Sequence, residues 1–341
     1  MADITIYTLA EELNMTPSMV SRAFNPNGKI SEEKRKIVLN AAKKYDFSPN
    51  RFASRLSMKT VRLGILISSV FPVNTEKMLM GINSAYEKLK DYKITYEIKI
   101  LNPNETDLAG YKKVLLKYKN YDGVILTGMS SPKYAAMINE LYSINPNIVQ
   151  VQSINENVNY LFGSKHNEKT ASGLAADFLH NCLKRSNSKN IILFTGNMES
   201  TLHQYAEKAF KDECERTGLN LLESIDMKDS EDYLTKILPD IFKRHKDRID
   251  GIYITSGFST PLCKYLEENK TDVPFVAFDT YDDIKTYIEK GIISATIAQN
   301  VAQQMETAFG MLVNYLITGE KPEKIIYTDV QVVLKSNINQ F

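Results

Sequence analysis

Ser18, Ser21, Arg22 and Asn25 are spaced so that one helical face collects all four. Three are short and polar, and the fourth is a guanidinium. Such a face suits a DNA major groove, where Arg makes two hydrogen bonds to guanine and small polar groups reach phosphates. A second set of polar residues stands where apolar runs stop: Ser68, Ser69 and Phe71, then Thr127 and Gly128, then His166 and Asn167. Gly196, Ser256, Phe258 and Asp279 continue it further along the chain. Polar groups with an occasional aromatic ring suit a polyhydroxylated ligand. Asp279, directly after PFVAF, is the best placed, because one carboxylate accepts hydrogen bonds from two hydroxyls.

Other chemistries lack their residues. Cys182, Cys214 and Cys263 are far apart and form no CxxC, and the four histidines form neither HxxxH nor HExxH. No metal or cofactor is expected from these spacings. The first apolar run leads into SSVFPVNTE, with neither GxGxxG nor GxxxxGK[ST]. GxSxG is also missing, and the carboxylates form no catalytic set, so the expectation is a binding protein and not an enzyme. MADITIYTLAEELN is acidic and has no long apolar run, which predicts no export signal. The absence of about 18 consecutive apolar residues predicts no membrane span. Reduced cysteines and no leader point to the cytoplasm.

The elements that would position the first set are helical. Residues 1–60 hold 10 Lys and Arg against 6 Asp and Glu in a chain of net charge +1, a modest basic excess. Ile6, Leu9, Ala10 and Leu13 share a face of a first helix. Asn14 suits the left-handed turn that follows, Thr16 an N-cap and Pro17 the first position of a second helix. Val20 faces inward. Ser31 caps a third helix with an apolar stripe of Ile37, Val38, Ala41, Ala42 and Tyr45, and Pro49 ends it. A plain three-helix bundle is the alternative, but the polar face of the second helix favours DNA.

The run ITIYTLAEELNMTPSMVSRAFNPNGKISEEKRKIVLNAAKKYDFSPNRFASRLS resembles the DNA-binding headpiece of the lactose/galactose (LacI/GalR) repressor family. VSRAFN, ISEEKRKIVLNAA and SPNRFASRL carry the resemblance, which extends more loosely along the whole chain. It implies a helix-turn-helix at 1–49 in which Pro17, Ser18 and Arg22 face bases, Thr16 caps the reading helix, and Tyr7, Ser21 and Asn25 hold phosphates. It also implies a hinge helix in 50–60. There Asn50, Ala53 and Leu56 match the family pattern, Leu56 wedges between base steps, and Arg51 faces phosphate.

From residue 61 onward, apolar strands alternate with amphipathic helices, the pattern of parallel sheets with right-handed crossovers. Asp122-Gly123 and Asp250-Gly251 each precede a buried strand, which reads as one position repeated in two similar lobes. The expected fold is α/β: a helical headpiece, then two doubly wound lobes, which the family resemblance implies are built like a periplasmic binding protein. Lobe 1 is placed at about 61–163 and 300–327, and lobe 2 at about 164–297 and 328–341. Ligands of such folds bind at the carboxyl ends of the strands. The expected effector set is Ser69, Phe71, Thr127, His166, His203, Phe258, Asp279 and Gln299.

In the resemblance, His166 stands where a ligand-contacting Asp is common, Asp279 matches the VAFDTYDD segment, and Gln299 falls in the crossover region. Ala206 stands where the family has an Arg that clasps sugar hydroxyls, and the neighbouring His203, Gln204 and Tyr205 offer substitutes. The family reading is a cytoplasmic homodimer that binds a pseudo-palindromic duplex and represses carbohydrate-use genes under control of a sugar or a related effector. A regulator signalled by a partner protein or a phosphorylated corepressor is the alternative, and a cytosolic sugar-processing enzyme the distant one. VQVVLKSNI near the end carries no leucine heptads, so no tetramerising coiled coil is expected.

Overall fold

The computed structural model describes residues 6–24, 28–45 and 60–341. Asn25, Asn50, Arg51, Ala53 and Leu56, and with them the expected hinge, lie outside the described residues.

Three short helices come first: α1 (Ile6–Glu12), α2 (Pro17–Phe24) and α3 (Glu32–Lys44). Leu9, Ala10, Val20, Ala23, Val38 and Ala42 form their common core. Asn14 has φ 51° at the turn between α1 and α2, a conformation Asn tolerates better than most residues. Thr16 Oγ1 accepts from the Met19 amide at 3.3 Å, and Ser31 Oγ accepts from the Lys34 amide at 3.4 Å, so both capping residues act as their types suggest. The guanidinium of Arg35 donates to the carbonyls of Ala23 and Gly28, at 2.9 Å each, tying α3 to the end of α2 and to the segment after it. The stripe on α3 is narrower than its periodicity implies. Ile37 is 43% exposed, because two short helices cannot cover so wide a face.

The rest of the chain builds two six-stranded sheets. The first is β1 (Val61–Ser68), β2 (Ile94–Leu101), β3 (Gly123–Thr127), β4 (Ile148–Val151), β5 (Phe162–His166) and β11 (Ile325–Thr328), in the order β11-β5-β4-β3-β1-β2. The second is β6 (Asn190–Thr195), β7 (Asn220–Asp226), β8 (Gly251–Ile254), β9 (Phe275–Phe278), β10 (Ala295–Gln299) and β12 (Val330–Val333), in the order β12-β10-β9-β8-β6-β7. Apart from the antiparallel edge strand β12, every described pairing is parallel. Each sheet has an apolar core on both faces, as parallel sheets require.

The two sheets share one order with the numbering shifted, so the lobes are repeats in architecture. The Asp-Gly echo occupies equivalent places. Asp122 Oδ2 accepts from the Arg62 amide at 2.8 Å before β3. Asp250 Oδ2 accepts from the Asn190 amide at 2.7 Å before β8. Each carboxylate anchors a central strand to the start of its neighbour. The chain passes between the sheets after His166, after Gln299 and between Thr328 and Val330. The first of these crossings falls a few residues beyond the expected boundary near 163, because all of β5 pairs within the first sheet.

Candidate ligand cleft and helical face

The carboxyl ends of both sheets open onto one cleft of about 290 Å3, at the low end of the size range for small-molecule sites. Of the expected effector residues, Ser69, Phe71, His203, Asp279 and Gln299 line it. Thr127, His166 and Phe258 do not, for separate reasons. Thr127 is buried, and its hydroxyl accepts from the Ser68 amide at 3.3 Å. His166 is 2% exposed and sits behind the wall, with Nδ1 at 3.0 Å from Gln299 Oε1. Phe258 turns to Phe71, ring centroids 4.5 Å apart.

Asp279 follows β9 with φ 68°. Oδ2 accepts from the Tyr281 hydroxyl and from Gln299 Nε2, both at 3.0 Å. Burial raises the pKa of this carboxyl above its usual value, against the opposing pull of Gln299, Lys77 and Tyr281. The amide of Gln299 thus bridges Asp279 in one lobe to His166 in the other. Burial also holds the His166 imidazole below its ordinary pKa, with Glu168 and Asp279 acting in the opposite sense and Lys165 adding to the depression.

The far wall carries residues that periodicity does not single out. His203 Nε2 lies 3.5 Å from Asp229 Oδ2, and Ser256 Oγ donates to Asp229 Oδ1 at 3.0 Å. Burial alone would raise the Asp229 pKa. The His203 hydrogen bond and charge, the Asn197 backbone and Ser256 pull it below its usual value instead. In lobe 1, Asn74 and Gln152 exchange amide hydrogen bonds at 3.3 and 3.2 Å. Gln152, Lys228, Asp229 and Asp279 all have positive φ and all line the cleft. Left-handed backbone at non-glycine residues is costly and collects at functional sites, so its concentration here marks the cleft independently of its shape. Apart from His203, already in the expected set, the sequence signal for this wall was the run Lys228, Asp229 and Ser230 one residue beyond the end of β7.

The lobes also touch directly. Phe71 stacks on Tyr281, centroids 5.3 Å apart and planes at 11°. Lys77 Nζ donates to the carbonyl and hydroxyl oxygens of Thr280 at 2.8 and 2.9 Å. On the opposite side Ser130 Oγ meets Ser200 Oγ at 2.8 Å, and Thr201 Oγ1 donates to the Ile154 carbonyl at 2.7 Å.

At the amino-terminal unit, Ser18, Ser21 and Arg22 are exposed on α2 while Val20 and Ala23 are buried. Thr16 is exposed, Pro17 half-buried, and Tyr7 on α1 is 71% exposed. Among the described residues no three His, Cys, Asp or Glu are placed to hold a metal, and no helix is long and apolar enough to cross a membrane.

Comparison with known proteins agrees with this architecture. The periplasmic binding protein domain family matches residues 74–321. The chain is 31% identical over 127 residues to catabolite control protein A of Streptococcus mutans, 37% of each chain. It is 26% identical over 227 residues to catabolite control protein A of Priestia megaterium, 65% of this chain and 64% of the relative. The matched stretches thus span less than two thirds of these relatives. Among solved structures, GanP, a glucose-galactose binding protein from Geobacillus stearothermophilus, superposes with TM-score 0.72 at 18% identity, covering 82% of this chain and 99% of its own. A Bacteroides fragilis protein described as a LacI transcriptional regulator gives TM-score 0.71 at 18% identity, covering 83% and 100%. These relatives are regulators and sugar-binding proteins, not enzymes. On its matched fold and its two like-built sheets, the chain belongs to the periplasmic binding protein domain family.

Proposed function

We propose that this chain is a sequence-specific DNA-binding transcriptional regulator, a repressor of carbohydrate-use genes, whose cleft takes a sugar or related effector. The observation that carries the reading is the division of α2. Val20 and Ala23 go into the helical core, while Ser18, Ser21 and Arg22 are left on an outer face with no large apolar group. A solvated face would serve as well for solubility, but it would not call for a turn at Asn14, capping at Thr16 and a packed α1–α2 pair. Together with the exposed polar face of α2, these support a helix-turn-helix. In this reading Arg22 and Ser18 meet base edges with Pro17 beside them, and Tyr7, Ser21 and Asn25 hold phosphates.

One such unit covers few base pairs. Useful affinity therefore calls for a homodimer on a pseudo-palindromic site, with Asn50, Arg51, Ala53 and Leu56 supplying the minor-groove contact between the two copies. The named activities of the relatives, catabolite control by proteins from Streptococcus mutans and Priestia megaterium, support regulation as the class and the cytoplasm as the place. The test is selection of bound duplexes from a random pool, followed by affinity and bending measurements on the winner. A palindromic consensus bound by wild type is the expected result, with weaker binding and less bending for Leu56→Ala. A pool that never enriches overturns the reading.

A further inference from the structure

We propose that Arg35 and Gly28 are positioning residues for DNA reading: from two sides they clamp the last turn of α2, and the clamp fixes the roll of the helix that aims Arg22. This rests on α2 being the reading helix and deepens that reading to what holds the helix in its reading orientation.

The helical core alone leaves that orientation weakly fixed. α2 is eight residues long and buries Val20 and Ala23. Two small apolar side chains three positions apart lie on one line along a helix. Their burial sets how closely α2 approaches its neighbours, but it resists rotation about that line poorly. Such a rotation swings Arg22, which is exposed on the outer face, and a long side chain turns a small roll into a large displacement of its guanidinium. Two hydrogen bonds to one guanine need the fork placed within about 0.5 Å and 10–20°. The amino end of α2 is tied through the turn, where the Met15 amide donates to the Ala10 carbonyl at 2.9 Å. The tie at the carboxyl end comes from α3.

Arg35 stands in the first turn of α3, three positions before the fully buried Val38, so its backbone is held by the core. Nη1 donates to the Ala23 carbonyl and Nη2 to the Gly28 carbonyl, both at 2.9 Å. Nε lies 3.8 Å from Glu32 Oε1, and the Arg35 side chain is 17% exposed. Ala23 lies in the last turn of α2, where carbonyls have no partner within the helix and the dipole favours a cation. Gly28 closes the other side. A Cβ there would lie 2.1 Å from the carbonyl oxygen of Arg22, so the Gly28 backbone rests on the reading residue itself. The main chain is thus pinned at position 22 by Gly28 and at position 23 by Arg35, while the Arg22 side chain stays exposed. The planar fork of Arg35 matters beyond its charge. A lysine carries three rotatable donors on one point charge and would not present two arms in fixed directions to two carbonyls.

The test uses the full chain and fluorescence anisotropy on three duplexes: the one wild type selects, the same duplex changed at the base pair whose preference Arg22→Ala relaxes, and a scrambled one. Arg35→Lys keeps the charge, and Gly28→Ala keeps every polar group. Each should weaken the selected duplex about tenfold and shrink discrimination at that base pair, with scrambled binding and its salt dependence unchanged. In an Arg22→Ala background neither change should reduce discrimination further, since both act through that side chain. A merely structural role would lower all three affinities alike in both backgrounds. Wild-type discrimination in either single variant overturns the proposal. Joint loss of selected and scrambled binding also overturns it, because the clamp would then serve folding. Arg35→Gln should keep the wild-type salt slope, and a slope lower by about one would make Arg35 a phosphate contact instead. A wild type with no preferred duplex fails the regulator reading itself, whereas a wild type that discriminates beside variants that discriminate equally well fails this proposal alone.

Discussion

Nδ1 of His166 lies 3.0 Å from Oε1 of Gln299, a residue 133 positions further along the chain. The contact joins the ends of β5 and β10, the strands from which the chain crosses between lobes. Gln299 passes the connection on to Asp279 through Nε2 at 3.0 Å, and Gln304 Nε2 reaches Gln299 Oε1 at 3.3 Å. A ligand hydroxyl on Asp279 would therefore pull on an amide that both lobes share. Coupling of this kind requires two lobe arrangements that the ligand distinguishes, and the relay gives the ligand a handle on both.

His166 should confer acid sensitivity. Its folded pKa lies below the ordinary histidine value because of burial, so the unfolded chain takes the proton first. The stability associated with neutral His166 is present above about pH 6.5 and is lost as the pH falls through the lower folded value. Glu168 and Asp279 oppose this depression and Lys165 reinforces it. His166→Gln keeps a polar group against Gln299 without titrating. Denaturant unfolding at pH 8 and pH 5.5 should show wild type losing more stability than the variant, with a slope difference of at most about 1.4 kcal/mol per pH unit. Parallel slopes would rule out His166 as the source.

Asp279→Asn should stabilise the protein and disable it. The Asp279 carboxyl is raised by burial, so the folded state resists ionising it. The stability it contributes is complete below about pH 3.9 and is lost as the pH rises through the folded value. At neutral pH the amide removes that cost, and the side-chain oxygen can still accept from Tyr281. A gain of about 1 kcal/mol, with loss of ligand binding, is the expected trade, read by thermal unfolding and calorimetry. Lower stability with ligand affinity intact would show that the carboxylate is needed for packing instead.

Arg22→Ala should weaken specific duplex binding by about 1–3 kcal/mol and relax preference at one base pair, while non-specific binding keeps most of its salt dependence. Fluorescence anisotropy on consensus and scrambled duplexes measures both. Unchanged discrimination would remove α2 as the reading helix.

The contacts between lobes should set the balance of closure. Phe71→Ala removes a ring that meets both Phe258 and Tyr281, and Lys77→Ala removes two hydrogen bonds to Thr280. The double variant should be more open in small-angle scattering without ligand and bind its effector about tenfold more weakly, since closure must then be driven by the ligand. A scattering profile matching wild type would place the closing energy elsewhere.

Local chemistry made much of this molecule legible. Alternating apolar runs and amphipathic segments specify parallel strands and covering helices, because each pattern can bury its apolar side in only one kind of element. The turn at Asn14 and the caps at Thr16 and Ser31 follow from preferences that act within a few residues, whereas the repeated Asp-Gly at 122–123 and 250–251 marked equivalent strands without naming the distant amides of Arg62 and Asn190 that those carboxylates hold. Asp279 could be found because it directly follows a fully buried strand. Tertiary structure decided which strand-end side chains look into the cleft. Thr127, His166 and Phe258 stand at the same kind of position as Ser69 and Asp279, yet they face a neighbouring amide, Gln299 and Phe71. Once a strand ends, a side chain's direction depends on one or two backbone angles, and at Gln152, Lys228, Asp229 and Asp279 those angles are left-handed. Strand periodicity does not extend to such residues. The partners that hold them there, such as Gln299 for His166 and Ser256 for Asp229, lie far away in the chain and come together only when the lobes fold.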